Sequence, residues 1–170
     1  MANQTYFFQP EKKILKQGFF MTDENENIVY EAKMIKQPIL GAMEFEFVNH
    51  ITGQSVIHKI GHTVTTETSG LFEFFNVKSS FKYDGKNVWD YLHEQGIRID
   101  SSIAGDRLGM NYRVSLKGKE MADIATAAPG GGGGLITGAS WLKVTTAPED
   151  LDLAFLTAFS IARTDQSFYE

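Results

Sequence analysis

The segment 146-TAPEDLDLAFLTAFSIARTDQSFYE-170 decides how the rest of the chain is read. From Leu151 to Ala162 it is almost wholly apolar, in a chain whose formal net charge is -5. Its ends carry helix signals. Thr146 followed by Glu149 has the spacing of a capping box, and Pro148 falls where a missing N–H does no harm. Glu149, Asp150 and Asp152 suit the positive end of a helix dipole, and Arg163 suits the negative end. These signals predict a helix over about residues 149–163.

The faces of that helix follow from the turn of about 100° per residue. Leu151, Leu153, Phe155, Leu156, Phe159 and Ile161 fall on all sides, and Ala154, Ala158 and Ala162 form a small-residue stripe. Thr157 and Ser160 interrupt, and both can bond back to the preceding turn. A helix apolar all round is buried in protein or sits in lipid. Its apolar part spans roughly 18 Å at about 1.5 Å per residue. A bilayer core is about 30 Å thick, so no transmembrane segment is expected. An interfacial helix needs one strongly polar face. The remaining place is the interior of the protein itself.

What surrounds it is legible as hairpins. "FFMTDENENIVYEAKM" reads as a strand from Phe19 to Thr22, a polar turn, and a strand from Ile28 to Met34. In "MEFEFVNHITGQSVIHKI", Met43, Phe45 and Phe47 alternate with Glu44 and Glu46, the pattern of a half-buried strand. Gly53 marks the turn and Val56 to Ile60 return. "FKYDGKNVWDYL" places Asp84-Gly85 between two aromatic-rich arms, a strong hairpin signal. "MNYRVSLKGKEMADIATA" turns at or near Lys117 and Gly118, while "LFEFFNV" and "GASWLKVTT" add further strands. About eleven to thirteen antiparallel strands, over about residues 4–146, predict a sheet that winds on itself. A closed barrel of about twelve strands is too wide for its own side chains to fill. The apolar C-terminal helix would fill it, giving one mainly β domain over 1–170.

At this point the chain resembles the tubby C-terminal-like superfamily, which includes tubby-like proteins, LURP-one-related proteins and phospholipid scramblases. The resemblance rests on the closing "EDLDLAFLTAFSIARTD" and the turn-strand phrase "DENENIVYEAK". It covers nearly the whole chain, with hairpins first and a hydrophobic helix last, and is most like the small bacterial members. It implies a closed barrel of about twelve strands around a central helix. It also implies a non-enzymatic module that binds at membranes, for instance to a phosphoinositide-like anionic headgroup.

The remaining residues narrow the chemistry. No cysteine occurs, which excludes disulfides, thiolate nucleophiles and cysteine metal sites. The acidic balance argues against nucleic acid as a partner. No secretory signal is visible, so a cytoplasmic location is expected, with the membrane-surface role placing the protein peripheral to the membrane. Asp23, Asn25 and Asn27 have the first three EF-hand spacings, but Ile28 stands where Gly is needed and Met34 where Glu is needed. A polar turn is the reading there. His50, His58, His62 and His93 read as surface or hairpin histidines, with no metal or cofactor site. "APGGGGG", Ala128 to Gly134, lacks the Lys-Ser/Thr of a phosphate loop and reads as a connecting loop whose role is open. No catalytic motif stands out.

Lipid binding requires cations on one face. The densest basic stretch holds Arg98, Arg107, Arg113, Lys117 and Lys119, and these are the candidate lipid-binding residues. Lys12, Lys13 and Lys16 form a second stretch. Arg113 should point outward if Tyr112 points in. The alternative is a protein–protein interaction scaffold using the exterior or the glycine loop.

Overall fold

The computed structural model describes residues 2–12, 17–36, 43–69, 74–104, 109–126 and 142–169; side chains at 10–12, 17, 61–69, 74–83, 103–104, 109–110, 126 and 163–169 lie outside the description. Arg107, Lys13, Lys16 and the Gly130–Gly134 loop therefore fall outside the described residues.

The described residues form eleven strands and two α-helices. Five antiparallel strands come first: β1 (Gln4–Lys12), β2 (Gln17–Thr22), β3 (Ile28–Lys36), β4 (Met43–Asn49) and β5 (Gln54–Ser69). β6 (Phe74–Tyr83) and the short β7 (Lys86–Asn87) lead into helix α1 (Val88–Glu94). β8 (Ile97–Ala104), β9 (Gly109–Leu116), β10 (Lys119–Thr126) and β11 (Leu142–Thr146) follow. A 3-10 turn at Pro148–Asp150 opens helix α2 (Leu151–Tyr169). The strand order is β7-β6-β5-β4-β3-β2-β1-β11-β10-β9-β8, so the first and last halves of the chain join where β1 pairs β11.

Tight turns set the register. Asp84 and Gly85 have φ of 47° and 84°, and Lys117 and Gly118 have 50° and 81°. Positive φ at both central residues is the two-residue hairpin turn whose twist matches the strands. Asp23 organises the β2–β3 turn: one carboxylate oxygen accepts from the Asn25 and Asn27 amides, each at 2.9 Å, and the other from the Asn27 side chain. This is a polar turn, as the residues predicted.

Residues Ala154 to Ala162 are all buried, nine in succession, so α2 is covered on every side. Phe155 packs on Phe8, Tyr30 and Phe47, with ring centroids 5.3, 4.2 and 5.7 Å away. One turn on, Phe159 packs on Phe19, Phe45 and Phe47 at 5.0, 5.7 and 5.3 Å. Four strands, β1 to β4, thus converge on two side chains of one helix face. The helix also contacts β6, β10 and β11. Thr157 and Ser160 donate their hydroxyls to Leu153 O at 2.7 Å and Leu156 O at 2.8 Å, so neither is an orphaned buried polar group.

Four details differ from the sequence reading. The helix is longer than 149–163, running to Tyr169, so Arg163 lies inside it rather than at its end. Thr146 does not cap it. Its hydroxyl donates instead to Met121 O at 3.0 Å, and Ala147 occupies the cap position with no side-chain bond. The arm after Asp84-Gly85 is mostly helix: Asn87 Oδ1 accepts from the Trp89 amide and caps α1, which buries Val88 and Leu92 four apart. The fourth detail is closure. The sheet ends at β7 and β8, and no ladder joins those two edges among the described residues, so a closed twelve-strand barrel is not shown. Helix α1 contacts β8, β6 and β7.

The start of α2 is tied to the sheet. Asn49, 3% exposed, accepts from the Ile51 and Thr52 amides and donates to Asp152 Oδ1 at 3.1 Å. Tyr30 also bonds Asp152. Burial first, and that carboxylate second, push the Tyr30 hydroxyl far above its ordinary pKa, so it stays a donor.

Replacing Phe155 or Phe159 by Ala should cost about 3–5 kcal/mol in denaturant unfolding; a loss below about 1 kcal/mol would show that α2 is not the core. A chain ending before Leu151 should not melt cooperatively, because about a dozen buried side chains would lose their partner.

Candidate functional site

With the interior occupied by α2, polar chemistry gathers on the outer wall and at the ends. The outer wall of β8 to β11 carries two of the candidate cations, Arg98 and Arg113. Each strand there alternates buried and exposed residues: Ile97 and Val114 are fully buried, while Arg98 and Arg113 are exposed. Arg113 points outward as expected from Tyr112, which packs partly buried against the core.

A bulge in β10 decides what faces Arg113. The register shifts between Glu120 and Ala122, so Met121 and Ala122 are both buried. The extra residue resets the alternation and turns Asp123 outward, opposite Arg113. The displaced Met121 carbonyl is the one that Thr146 satisfies.

Two outward rows result. Asp100, Arg113, Asp123 and Thr145 lie in register across four strands, and Ser102, Asn111, Ala125 and Lys143 form the next row. Ala125 offers only a methyl among longer side chains, and a concavity of about 440 Å³ opens over this part of the wall. Arg113 and Asp123 approach to 3.9 Å, with side chains 72% and 57% exposed. An ion pair that open to water contributes little to stability.

The five candidate cations are therefore not one patch. Arg113 stands between two carboxylates. Arg98, Lys117 and Lys119 lie elsewhere, at the end of the sheet where the β9–β10 turn meets the start of β8; Arg98 is in the outward row with Ser115, and Lys119 is in the row of Ile97 and Leu116. Gly96 ties the turn to β8: its φ is +88°, its carbonyl accepts from the Lys117 amide at 2.8 Å, and a Cβ there would meet Lys117 Cγ at 2.8 Å. Arg98 donates to Ile97 O at 3.0 Å and is in register with Ser115. Glu120 is in the same outward row as Arg98, opposite Ser115 on the next strand. Lys12 ends β1 at the opposite end of the sheet from this corner.

Among the described residues the histidines do not cluster. His50 Nε2 meets Glu31 Oε1 at 2.7 Å, and Lys33 reaches the same oxygen at 2.8 Å. His58 Nδ1 meets Asp84 Oδ2 at 2.9 Å, while Asp84 Oδ1 accepts from the Lys59 amide. His58 also packs edge-on against Phe47. Among the described residues no group of three or more His, Asp or Glu could hold a metal ion.

Asp100, Asp123 and Lys143 are site residues that sequence reasoning did not select. Their juxtaposition needs the cross-strand register and the β10 bulge. The β4–β5 hairpin also leaves Ile51, Val56 and Ile57 more than half exposed. No described helix is long and apolar enough to cross a membrane.

Compared with known proteins, the chain matches no family model and no curated relative.

Hydrogen bonds from Asn27 and Asn25 hold the Asp23 carboxyl below its ordinary pKa. A lowered folded-state pKa contributes stability above the unfolded pKa of about 3.9 and loses it as pH falls through the folded value. Asp23→Ala should therefore flatten the acid limb of the stability–pH curve below about pH 4; superimposable curves would contradict the turn assignment.

Proposed function

We propose that this protein is a non-enzymatic binding module of the tubby C-terminal-like type that docks on anionic lipid headgroups through its outer wall. In this reading the sheet acts as a barrel around α2, with α1 bridging the seam between β7 and β8. The observation that carries it is that Arg98, Lys117 and Lys119, all three exposed, lie at one end of the sheet, where the β9–β10 turn meets the start of β8. The buried helix supports it by filling the interior and leaving the wall and ends as binding surface. Arg113 is not part of the anion contact, because Asp100 and Asp123 flank it in register. The net charge of -5 works against anionic surfaces at long range, so such docking is local and salt-sensitive.

A second reading, a protein-interaction scaffold, has its own observation. Ile51, Val56 and Ile57 are exposed on one hairpin, away from the cationic corner.

Liposome co-sedimentation separates the two. Vesicles with anionic or phosphoinositide lipids should pellet the protein at low salt and release it as salt rises. Replacing Arg98, Lys117 and Lys119 together by Gln should weaken binding on the order of a hundredfold, at about 1 kcal/mol per cation near the surface. Binding unchanged in that variant, or no binding to any vesicle, would overturn the headgroup reading. Loss of binding in an Ile51→Ser, Ile57→Ser variant alone would place the contact on the hairpin.

A further inference from the structure

The concavity over Ala125 has a charge pattern that the cationic corner lacks. Its two inner strands carry Arg113 and Asp123, which face each other at 3.9 Å and offset one another. Its two outer strands carry Asp100 and Lys143. Both are exposed, and neither has an ion-pair or hydrogen-bond partner among the described residues. They stand on opposite sides of it, three strands apart and two residues out of row, on the order of 16 Å between backbones at ~4.8 Å per strand and ~3.3 Å per residue.

The bare Ala125 methyl is what makes room. A volume of about 440 Å³ lies within the range of small-molecule sites. The four charged groups sum to zero, so the site exerts no net pull on a simple anion or a simple cation. It favours a molecule that carries both charges. The Asn111 amide and the Ser102 hydroxyl line the gap and can bond oxygens between the two ends.

We propose that this concavity binds a small zwitterion, an ammonium joined by a short spacer to a phosphate, with the ammonium at Asp100 and the phosphate at Lys143. The choice of phosphate as the anion rests on the membrane-surface reading above. The zwitterion could be the headgroup of a neutral phospholipid or a free phosphodiester, and the two sources share one chemistry. This site is distinct from the corner of Arg98, Lys117 and Lys119.

The test is an amide chemical-shift titration with glycerophosphocholine, beside choline chloride and inorganic phosphate as half-ligands. Glycerophosphocholine should shift the amides of Ser102, Asn111, Ala125 and Lys143, and each half-ligand should bind at least fivefold more weakly. Asp100→Asn and Lys143→Gln should each weaken the whole ligand about fivefold, as for one exposed charge contact, and leave the melting temperature unchanged. Phosphatidylcholine vesicles that pellet the protein, and release it on adding glycerophosphocholine, would identify the lipid as source; binding of the free diester alone would identify the soluble one. No shifts at these amides, equal binding by either half-ligand, or full affinity in both variants would overturn the proposal. Anionic-vesicle binding that persists in Asp100→Asn and Lys143→Gln would leave the reading of the cationic corner standing on its own.

Discussion

The structure depends on the contact between Phe47 of the sheet and Phe155 and Phe159 of α2. Phe47 touches both rings, and the same two rings reach Phe8, Phe19, Tyr30 and Phe45. Each such aromatic pair contributes about 0.5–1.5 kcal/mol beyond its buried area. More important is what the geometry enforces. Strands β1 to β4 can bury their inner faces only if a helix lies along them, and a helix with no polar face can lie nowhere else. Asn49 and Asp152 then fix where that helix begins. A filled interior leaves the outer wall, the turns and the ends as the exposed surface.

Much of this was legible in the sequence, because the signals are local. Period-two alternation at Met43–Phe47 gave β4, and Asp84-Gly85 and Lys117-Gly118 gave two turns with positive φ at both residues. The all-round apolar run gave a buried helix, since twelve residues cannot span a bilayer. The failures were places where a local signal had two readings. "NVWDYLHE" is rich in aromatics, which favour strands, yet Asn87 is a helix cap and Val88 and Leu92 recur at helical spacing. Thr146 has the spacing of a capping residue, but the β10 bulge leaves a carbonyl that takes its hydroxyl first.

The candidate site was less legible, for a physical reason. The basic stretch from Arg98 to Lys119 is continuous in sequence but divides in space, because strand register sets the neighbours. Arg113 lies opposite Asp100 and Asp123, whereas Lys117 stacks on Gly96 beside Arg98. One extra residue at Met121 decides that Asp123 faces out. Neither the bulge nor the partner of a strand is written in its own residues.

The most direct test of the enclosed helix is native-state hydrogen exchange of the amides from Ala154 to Ala162. If the sheet folds around α2, these amides exchange only through global unfolding, and their opening free energies equal the stability measured by denaturant. Exchange through local opening, well below that stability, would mean that the helix leaves the sheet while the sheet stays folded, and the account would be wrong at its centre.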